Sequence, residues 1–391
     1  MKPTLSLHQG KEKTVLRGHP WIFPKAISGL TGSLVNGELV EVLDANGHYL
    51  ATGVYNEHSL YRVRVLLQAW EKIADQSLPC ILQYRFQQAL TLRRVLNLPN
   101  SETNVFRLFN SEADGLSGLT IDCFNTIYVV SSTAYWVEAH KEVIIQCLKQ
   151  VMGAEEIIWI PQVKSLAQDG WQRDAEGPPS TQIIDVCEGG IIYRVDFSLM
   201  QKTGLFIDQR ENHERIAALA SGKRVLDLYT YTGGFALHAA KAGATAVTAV
   251  DSSKIAIEMA KANAALNRLH QVDFIISDSR NYLNKAADYD LIILDPPKLV
   301  PSKRHIEQAK NYYRFLHREL FKTMRPGSLF LTCNCSSALS TLEFVNLVTA
   351  QAIPVGQQVR ILGVYGSARC HPMLPGFPEG NYLTALLLAV V

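Results

Sequence analysis

The fold is decided by the stretch VLDLYTYTGGF, which runs from Val225 to Phe235. An apolar run that ends in a carboxylate and a glycine turn predicts a strand followed by a helix. Gly233 and Gly234 permit positive φ, and helix-forming residues follow as far as Ala240. This strand, turn and helix are typical of a site that binds a nucleotide.

Three later apolar runs also end in an acid. Asp251 follows the run that starts at Ala246, Asp278 follows the run from Asp273, and Asp295 follows Leu291–Leu294. In an open parallel sheet the ligand lies at the carboxyl ends of the strands. With Asp227, the spacing therefore predicts one pocket lined by four acids, although helix N-capping by the same acids stays open as an alternative.

The glycine turn lacks the spaced glycines with which a dinucleotide fold approaches pyrophosphate, and the acids would repel phosphates. The cationic cofactor S-adenosylmethionine fits better. We expect Asp227 or its loop to face the amino-acid end of the cofactor, Asp251 its ribose hydroxyls and Asp278 its adenine amine. The remaining residues that we predict at this cofactor site are Tyr229, Thr230, Gly233, Ser252, Ser279 and Asp295.

Nearly the whole chain resembles a family of bacterial class I methyltransferases, the S-adenosylmethionine-dependent 23S rRNA cytosine 5-methyltransferases with an N-terminal PUA domain. The blocks that carry the resemblance are Leu16–Phe23, Asn110–Leu119, Gln201–Asn212, Tyr231–Phe235, Asp295–Lys298, Asn334–Ser336, His371–Pro372 and Phe377–Gly380. The family more often has an acid where this chain has Cys370. The resemblance implies methyl transfer to large-subunit rRNA.

The implied organisation is α/β, with three parts. Residues 1–70 are expected to form a PUA-like RNA-binding β-barrel, and residues 71–186 a small α/β connecting domain. Residues 187–391 are expected to form the methyltransferase domain, a Rossmann-like sheet with helices on both faces. The resemblance also implies that Lys202 and Arg210 border the cofactor; a helix cap and a salt bridge are the alternative for this segment.

The first seventy residues alternate short apolar segments with turns such as Asn36-Gly37 and Asn46-Gly47, which predicts many short strands. This region also carries a basic excess equal to that of the whole chain. The expected contacts to RNA phosphates are Lys11, Lys13, Arg17 and His19. An ordinary solvated surface is the alternative.

The middle of the chain has fewer signals for function. A hairpin is predicted around Asn125, and Tyr135 to Val151 is predicted as one amphipathic helix. The block Asn110–Gly118 contains acids and glycines that suit turns.

Methylation of cytosine carbon 5 requires activation, because that carbon is a poor nucleophile. A thiolate that adds to carbon 6 provides it. By the family pattern Cys335 is the nucleophile, but Cys333 lies on the same face of the predicted strand, and simple packing is a further alternative. Asp295 is the candidate to bond the cytosine amine or ring nitrogen. The cysteine and histidine spacing does not suit zinc, so we predict no metal.

Lys298, Arg314 and their basic neighbours are interleaved with Tyr312 and Tyr313, which predicts a helix that binds unpaired or flipped bases. A solvated helix face is the alternative, because Glu307 interrupts the basic run.

The 391 residues carry a net charge of only +2, so RNA binding has to come from local patches. Seven scattered cysteines and the lack of a signal or membrane-spanning run indicate a cytoplasmic protein. A homodimer stays open. Two other functions also stay open. One is methylation of guanine N7 in rRNA, which needs no cysteine, and the other is a non-catalytic role in RNA binding or ribosome assembly.

Overall fold

The computed structural model describes residues 3–172, 180–199, 205–299 and 305–391. The chain divides into two compact units. The first comprises Met1–Gln182, Asp196–Thr203 and Cys370–Gly380, and the second comprises Ile183–Val195, Gly204–Arg369 and Asn381–Val391. The finer division into three domains stays a prediction.

The first unit begins with a six-stranded sheet that confirms the predicted run of short strands. Its strands are β1 (Thr4–Leu7), β2 (Trp21–Ile22), β3 (Ile27–Thr31), β4 (Leu39–Leu43), β5 (Tyr49–Tyr55) and β6 (Val63–Gln68). They pair in the order β2-β6-β5-β4-β1-β3, and helix α1 (Glu12–Leu16) lies between β1 and β2 in sequence. Alternate residues such as Leu5, Leu7, Val40 and Val42 point into one core, as the two-residue period of strands requires.

The remainder of the first unit contains a four-stranded sheet and helices. The strands are β7 (Val105–Asn110), β8 (Leu119–Phe124), β9 (Ile127–Ser132) and β10 (Glu156–Pro161), in the order β10-β9-β8-β7. The helices are α2 (Leu78–Val95), α3 (Tyr135–Ala139), α4 (Lys141–Met152) and α5 (Val163–Gln168). The hairpin around Asn125 is confirmed. The prediction of a single helix from Tyr135 to Val151 is wrong, because the helix is interrupted at His140. The Nε2 atom of His140 lies 2.9 Å from the Gly37 carbonyl oxygen.

The block Asn110–Gly118 holds the segment Cys370–Gly380 within the first unit. Asp114 accepts two hydrogen bonds of 2.7 Å from the buried Arg93 guanidinium. Arg93 also donates to the Cys370 carbonyl oxygen at 2.8 Å, and the Asn110 side chain donates to the Pro372 carbonyl oxygen at 3.0 Å. The acids and amides of this block therefore do more than form turns.

The second unit contains the hairpin β11 (Ile183–Glu188) and β12 (Ile191–Asp196) and a seven-stranded sheet. The strands of that sheet are β13 (Arg224–Leu228), β14 (Ala246–Asp251), β15 (Val272–Ile276), β16 (Leu291–Leu294), β17 (Leu329–Cys335), β18 (Val359–Tyr365) and β19 (Leu383–Val390). Their order is β15-β14-β13-β16-β17-β19-β18. The first five strands of this order are parallel to one another. β19 is antiparallel to both of its neighbours, β17 and β18.

Helices cover both faces of this sheet, which confirms the predicted fold class. The helices are α6 (Arg210–Ala220), α7 (Gly234–Lys241), α8 (Lys254–Leu266), α9 (Ile306–Thr323) and α10 (Thr341–Thr349). Side chains of α6 and α7 share one buried cluster with Val225 and Ile293, and side chains of α9 and α10 share another with Leu226 and Ile292. Among the described residues, no helix is both long enough and apolar enough to cross a membrane.

Candidate active site

The predicted site residues of the second unit lie at one edge of its sheet. Asp251 is the last residue of β14, Asp295 directly follows β16, and Cys335 is the last residue of β17. Because these strands are parallel and adjacent to β13 or to one another, their carboxyl ends meet at the same edge. Ligands bind at this edge in open α/β sheets.

Asp227 holds the glycine turn in place through hydrogen bonds to the residues on either side of Gly233. Its fully buried Oδ2 accepts hydrogen bonds from the Thr230 hydroxyl at 2.6 Å and from the Ala236 amide at 3.1 Å. The turn needs left-handed backbone, with φ of 67° at Tyr229 and 92° at Gly233. Burial, reinforced by the Asp251 charge, raises the pKa of Asp227 to about 6. The helix-capping alternative therefore describes part of what Asp227 does.

Asp251 also accepts hydrogen bonds from the backbone. Its Oδ2 accepts from the Tyr231 amide at 3.0 Å, and its Oδ1 accepts from the Ser253 amide at 2.8 Å. Ser253, which we did not predict, caps α8 by accepting from the Ala256 amide. Ser252 is exposed beside Asp251 at the strand end. These two hydrogen bonds fix the Asp251 carboxylate at the end of β14.

Asp278 and Ser279 follow β15. The Asp278 carboxylate accepts from the Arg280 amide and guanidinium, both at 2.9 Å, and these bonds lower the pKa of Asp278. Ser279 is buried, and its hydroxyl oxygen accepts from the Tyr229 amide at 3.2 Å. The Tyr229 hydroxyl lies 3.1 Å from that of Tyr312 on α9. Ser279 thus fixes the start of the glycine turn.

Asp295 and Cys335 face each other at this edge. The Cys335 Sγ lies 3.8 Å from Asp295 Oδ1, and Gln209 Nε2 donates to Asp295 Oδ2 at 3.1 Å. Burial raises the pKa of Asp295 to about 7, and the charges of Asp208 and Asp227 act in the same direction. At neutral pH this carboxyl group can both accept and donate a proton.

The two candidate cysteines differ in their surroundings, although they share one face of β17 as predicted. Cys333 is fully buried, and Cys335 is partly exposed. Burial, together with the Asp295 and Cys335 charges, raises the pKa of the Cys333 thiol well above its ordinary value. A thiol that resists ionisation is a poor nucleophile.

Of the two basic residues predicted beside the cofactor, Lys202 lies outside the described residues. Arg210 is buried at the start of α6, and its Nη2 lies 3.5 Å from Glu211 Oε1. This contact matches the salt bridge that the sequence left open. The Arg210 Nη1 is buried and has no hydrogen-bond partner among the described residues.

A buried polar cluster that we did not predict lies against the glycine turn. His213 Nδ1 donates to Glu188 Oε1 at 2.8 Å, and the His213 ring stacks on His238 with 5.1 Å between centroids. His238 Nδ1 donates to the Gly234 carbonyl oxygen at 2.9 Å. Burial, together with His213, lowers the pKa of His238 to about 4.

Glu188, His213 and His238 have ligand atoms close enough to one another to hold a metal ion, and they form the one such group in the described part of the chain. Two of the ring nitrogens are engaged, His213 Nδ1 with Glu188 and His238 Nδ1 with the Gly234 carbonyl oxygen. His238 Nε2 is buried and has no hydrogen-bond partner among the described residues. Because these contacts fix the first residue of α7, we interpret the cluster as support for the turn. The sequence signal for His213 was its place in the polar run Arg210–Arg215, which forms the first half of α6.

The residues predicted to bind RNA phosphates in the first unit differ in exposure. Lys11, Lys13 and Arg17 are exposed around α1. His19 is largely buried among the rings of Trp21, Phe23 and Phe377. Its surroundings are those of a packing residue.

The basic helix predicted after Asp295 is present as α9. Lys298 is exposed, and Arg314 is partly exposed and donates to the Asn311 side chain at 2.6 Å. The prediction of Tyr313 as a base-stacking residue is wrong, because its ring is fully buried and its hydroxyl donates to Asn334. Two of the basic neighbours of Lys298 in sequence, Lys303 and Arg304, lie outside the described residues.

Two family models match the chain: an S-adenosylmethionine-dependent methyltransferase over residues 170–366 and a PUA-like domain over residues 5–68. The first covers half of the chain and includes the edge described above. The protein is therefore an S-adenosylmethionine-dependent methyltransferase with a PUA-like domain, and the predicted cofactor is confirmed.

Relatives narrow this class. The chain is 34% identical to ribosomal RNA large subunit methyltransferase I of Aeromonas salmonicida, over 99% of both chains. It is 31% identical to the Klebsiella pneumoniae protein of the same name, over 100% of this chain and 98% of that one. The chain belongs to the ribosomal RNA large subunit methyltransferase I family.

Solved structures agree on the fold. A Streptococcus mutans protein classed as a SAM-dependent methyltransferase is 21% identical, with a TM-score of 0.80 over the whole of both chains. A methyltransferase structure in complex with SAH is also 21% identical, with a TM-score of 0.81 and the same coverage. These likenesses concern the fold alone.

Proposed function

We propose that the protein methylates carbon 5 of a cytosine in large-subunit rRNA and that Cys335 is the nucleophile. The printed names of its relatives support rRNA as the substrate. The observation that carries the cytosine assignment is the 3.8 Å approach of Cys335 Sγ to Asp295 Oδ1 at the ligand-binding edge of the sheet. Methylation of guanine N7 needs no such cysteine. An rRNA substrate also supports the cytoplasmic location predicted from the sequence.

The chemistry of the edge suits S-adenosylmethionine, which supplies an electrophilic methyl group when bound. Its sulfonium is cationic, and Asp251 and Asp278 place carboxylates at this edge, while the buried carboxylate of Asp227 is bonded to the glycine turn. We propose that Asp251 and Ser252 bind the ribose hydroxyls and that Asp278 binds the adenine amine. The left-handed turn allows close approach of backbone to a ligand, which supports Tyr229, Thr230 and Gly233 as further contacts. Ser279, Asp295, Arg210 and Lys202 complete the proposed set on the grounds given by the sequence.

The chain's own groups account for activation of the base. Cys335 adds to carbon 6, which makes carbon 5 electron-rich enough to accept the methyl group. Asp295 bonds the ring nitrogen and stabilises the charge that develops there. The carbon 5 proton then passes to solvent, the electrons of that C–H bond form the C5–C6 double bond, and the C6–S bond breaks to release the Cys335 thiolate and 5-methylcytosine.

Exposed cations suit the rRNA backbone. We propose that Lys11, Lys13 and Arg17 contact phosphates from the first unit. His19 is proposed beside them, since its amide donates to the Thr14 carbonyl oxygen of α1 at 3.1 Å. Lys298 and Arg314 are the proposed contacts near the target base. A base inside a duplex has to be flipped out before Cys335 can reach it.

The test measures transfer of labelled methyl groups to unmodified 23S rRNA, followed by nucleoside analysis. We expect 5-methylcytosine from the native protein and from Cys333→Ala, and none from Cys335→Ala that still binds the cofactor. Formation of 7-methylguanine would contradict the cytosine assignment. Cofactor binding with no transfer to any rRNA would favour an assembly factor.

A further inference from the structure

Two buried amide side chains connect Asp295 to the interior of the second unit. Gln209 and Asn212 are 2% and 1% exposed, respectively; Gln209 directly precedes α6, and Asn212 lies in its first turn. Asn212 Nδ2 donates to Gln209 Oε1 at 2.6 Å, and Gln209 Nε2 donates to Asp295 Oδ2 at 3.1 Å. A buried amide that makes such a chain has a definite orientation, because reversal would place two acceptors together.

The direction of this chain of hydrogen bonds is fixed at the end away from Asp295, by one group that can only donate and one that can only accept. Arg215 is only a donor, and it donates to Asn212 Oδ1 at 3.0 Å. The Gly366 carbonyl is only an acceptor, and it accepts from Asn212 Nδ2 at 3.3 Å. Asn212 therefore presents its NH₂ group to Gln209, and Gln209 in turn presents its own NH₂ group to Asp295.

This orientation makes the two oxygens of Asp295 unequal. Oδ2 is engaged by an N–H donor, so a proton on Asp295 belongs on Oδ1. Oδ1 is also the oxygen that faces the Cys335 thiol at 3.8 Å. Burial and the charges of Asp208 and Asp227 raise the pKa of Asp295 to about 7, against the opposing effects of His213 and the Gln209 hydrogen bond, so that proton is exchangeable at neutral pH. The Cys333 thiol also interacts with Asp295, and burial keeps the pKa of that thiol well above its ordinary value.

We propose that Gln209 and Asn212 are positioning residues that restrict the gain and loss of a proton by Asp295 to its Oδ1 atom. The inference rests on the proposed cytosine methylation. The S–H bond of Cys335 breaks and an O–H bond forms at Oδ1. As the sulfur electron pair forms the bond to carbon 6, the ring electrons shift toward N3, which takes the proton from Oδ1.

The first test substitutes Gln209→Leu, which keeps the side chain's bulk and removes the donor. The carboxylate of Asp295 loses a hydrogen bond that lowers its pKa. We expect the acid limb of the kcat/KM profile to move up by about one to two pH units, the shift that loss of a hydrogen bond to a charged group produces. Cofactor affinity should be unchanged.

Gln351→Leu is the matched control, because Gln351 is also a buried glutamine of the second unit but bonds the Leu347 carbonyl oxygen instead. It should leave the profile in place. Asn212→Leu frees the Gln209 amide to turn, so a smaller shift in the same direction is expected. This second variant keeps the proposal testable if Gln209→Leu does not fold.

A second measurement needs no RNA. The carboxyl titration of Asp295 is followed by NMR in protein with ¹³Cγ-labelled aspartate, with the signal identified by its loss in Asp295→Asn. An upward shift of the midpoint in Gln209→Leu, and none in Gln351→Leu, is expected. The same midpoint in the native protein and Gln209→Leu would overturn the proposal. Failure of the native protein to form 5-methylcytosine would instead overturn the proposed function, which separates the two.

Discussion

Replacement of Gly234 by alanine has two opposing effects on stability, a gain in helix propensity and a steric clash, and their magnitudes can be compared. Gly234 is the first residue of α7, and alanine in a helix is ordinarily more stable than glycine by about 0.5–1 kcal/mol. A Cβ atom at this position, however, would lie 2.6 Å from the Cε1 and Nε2 atoms of His213. Ordinary contact begins at 3.4 Å, so the ring would have to retreat by 3.4 − 2.6 = 0.8 Å.

The His213 ring has little room to retreat. It is held by the 2.8 Å hydrogen bond to Glu188, lies edge-on to Phe235 at 4.5 Å between centroids and stacks on His238. Overpacking of a well-packed site costs about 1–3 kcal/mol. The steric cost exceeds the gain in helix propensity, so we expect Gly234→Ala to destabilise the second unit by about 1–2 kcal/mol.

Calorimetry of the full chain measures this effect, with a loss of about 2–4 °C in Tm expected per kcal/mol. Gly29→Ala is the control, because its added Cβ meets nothing within 4 Å. In a His213→Ala background the same Gly234→Ala change should no longer destabilise, since the obstructing ring is gone. A Tm for Gly234→Ala at or above that of the native protein would refute the reasoning.

Three further outcomes are expected. Folding raises the pKa of Asp295 from its ordinary 3.8 to about 7, so ionisation of this carboxyl group destabilises the fold increasingly as the pH rises from about 4 to 7. Asp295→Asn removes this ionisation. In urea titrations it should raise the free energy of unfolding at pH 8 and have little effect at pH 4. Arg93→Met leaves the buried Asp114 unpaired and should cost about 3–5 kcal/mol by the same assay, and a loss below about 1 kcal/mol would contradict the buried pairing. Replacement of Lys13 and Arg17 by Gln should reduce the salt slope of rRNA binding by about one to two, and an unchanged slope would exclude both as phosphate contacts.

The sheet edge was predictable because it depends on local signals. Apolar runs that end in Asp227, Asp251 and Asp295 identify strand ends, and the connection rules of parallel sheets place those ends together. The parity of Cys333 and Cys335 on one face was also readable. Which of the two is buried was not, because burial depends on β19 and the helices that cover the sheet.

The positions that sequence reasoning missed depend on contacts between distant residues. Asn212 takes its orientation from the Gly366 carbonyl, 154 positions away, and His140 interrupts a helix to bond Gly37, 103 positions away. Tyr313 is different, because its spacing of three and seven residues from Leu316 and Leu320 marks the apolar face of α9. Its burial was therefore predictable, and the attraction of an aromatic residue within a basic run led to the wrong interpretation.

The most direct test of the account traps the bond between protein and base. In 23S rRNA transcribed with 5-fluorocytidine, the target carbon carries fluorine in place of the proton that has to leave, so elimination of the thiol is blocked after methyl transfer. With S-adenosylmethionine present, the account predicts a stable protein–RNA adduct whose peptide mass locates it on Cys335, absent in Cys335→Ala and retained in Cys333→Ala. An adduct on Cys333, or no adduct from a protein that methylates unsubstituted rRNA at cytosine, would contradict it.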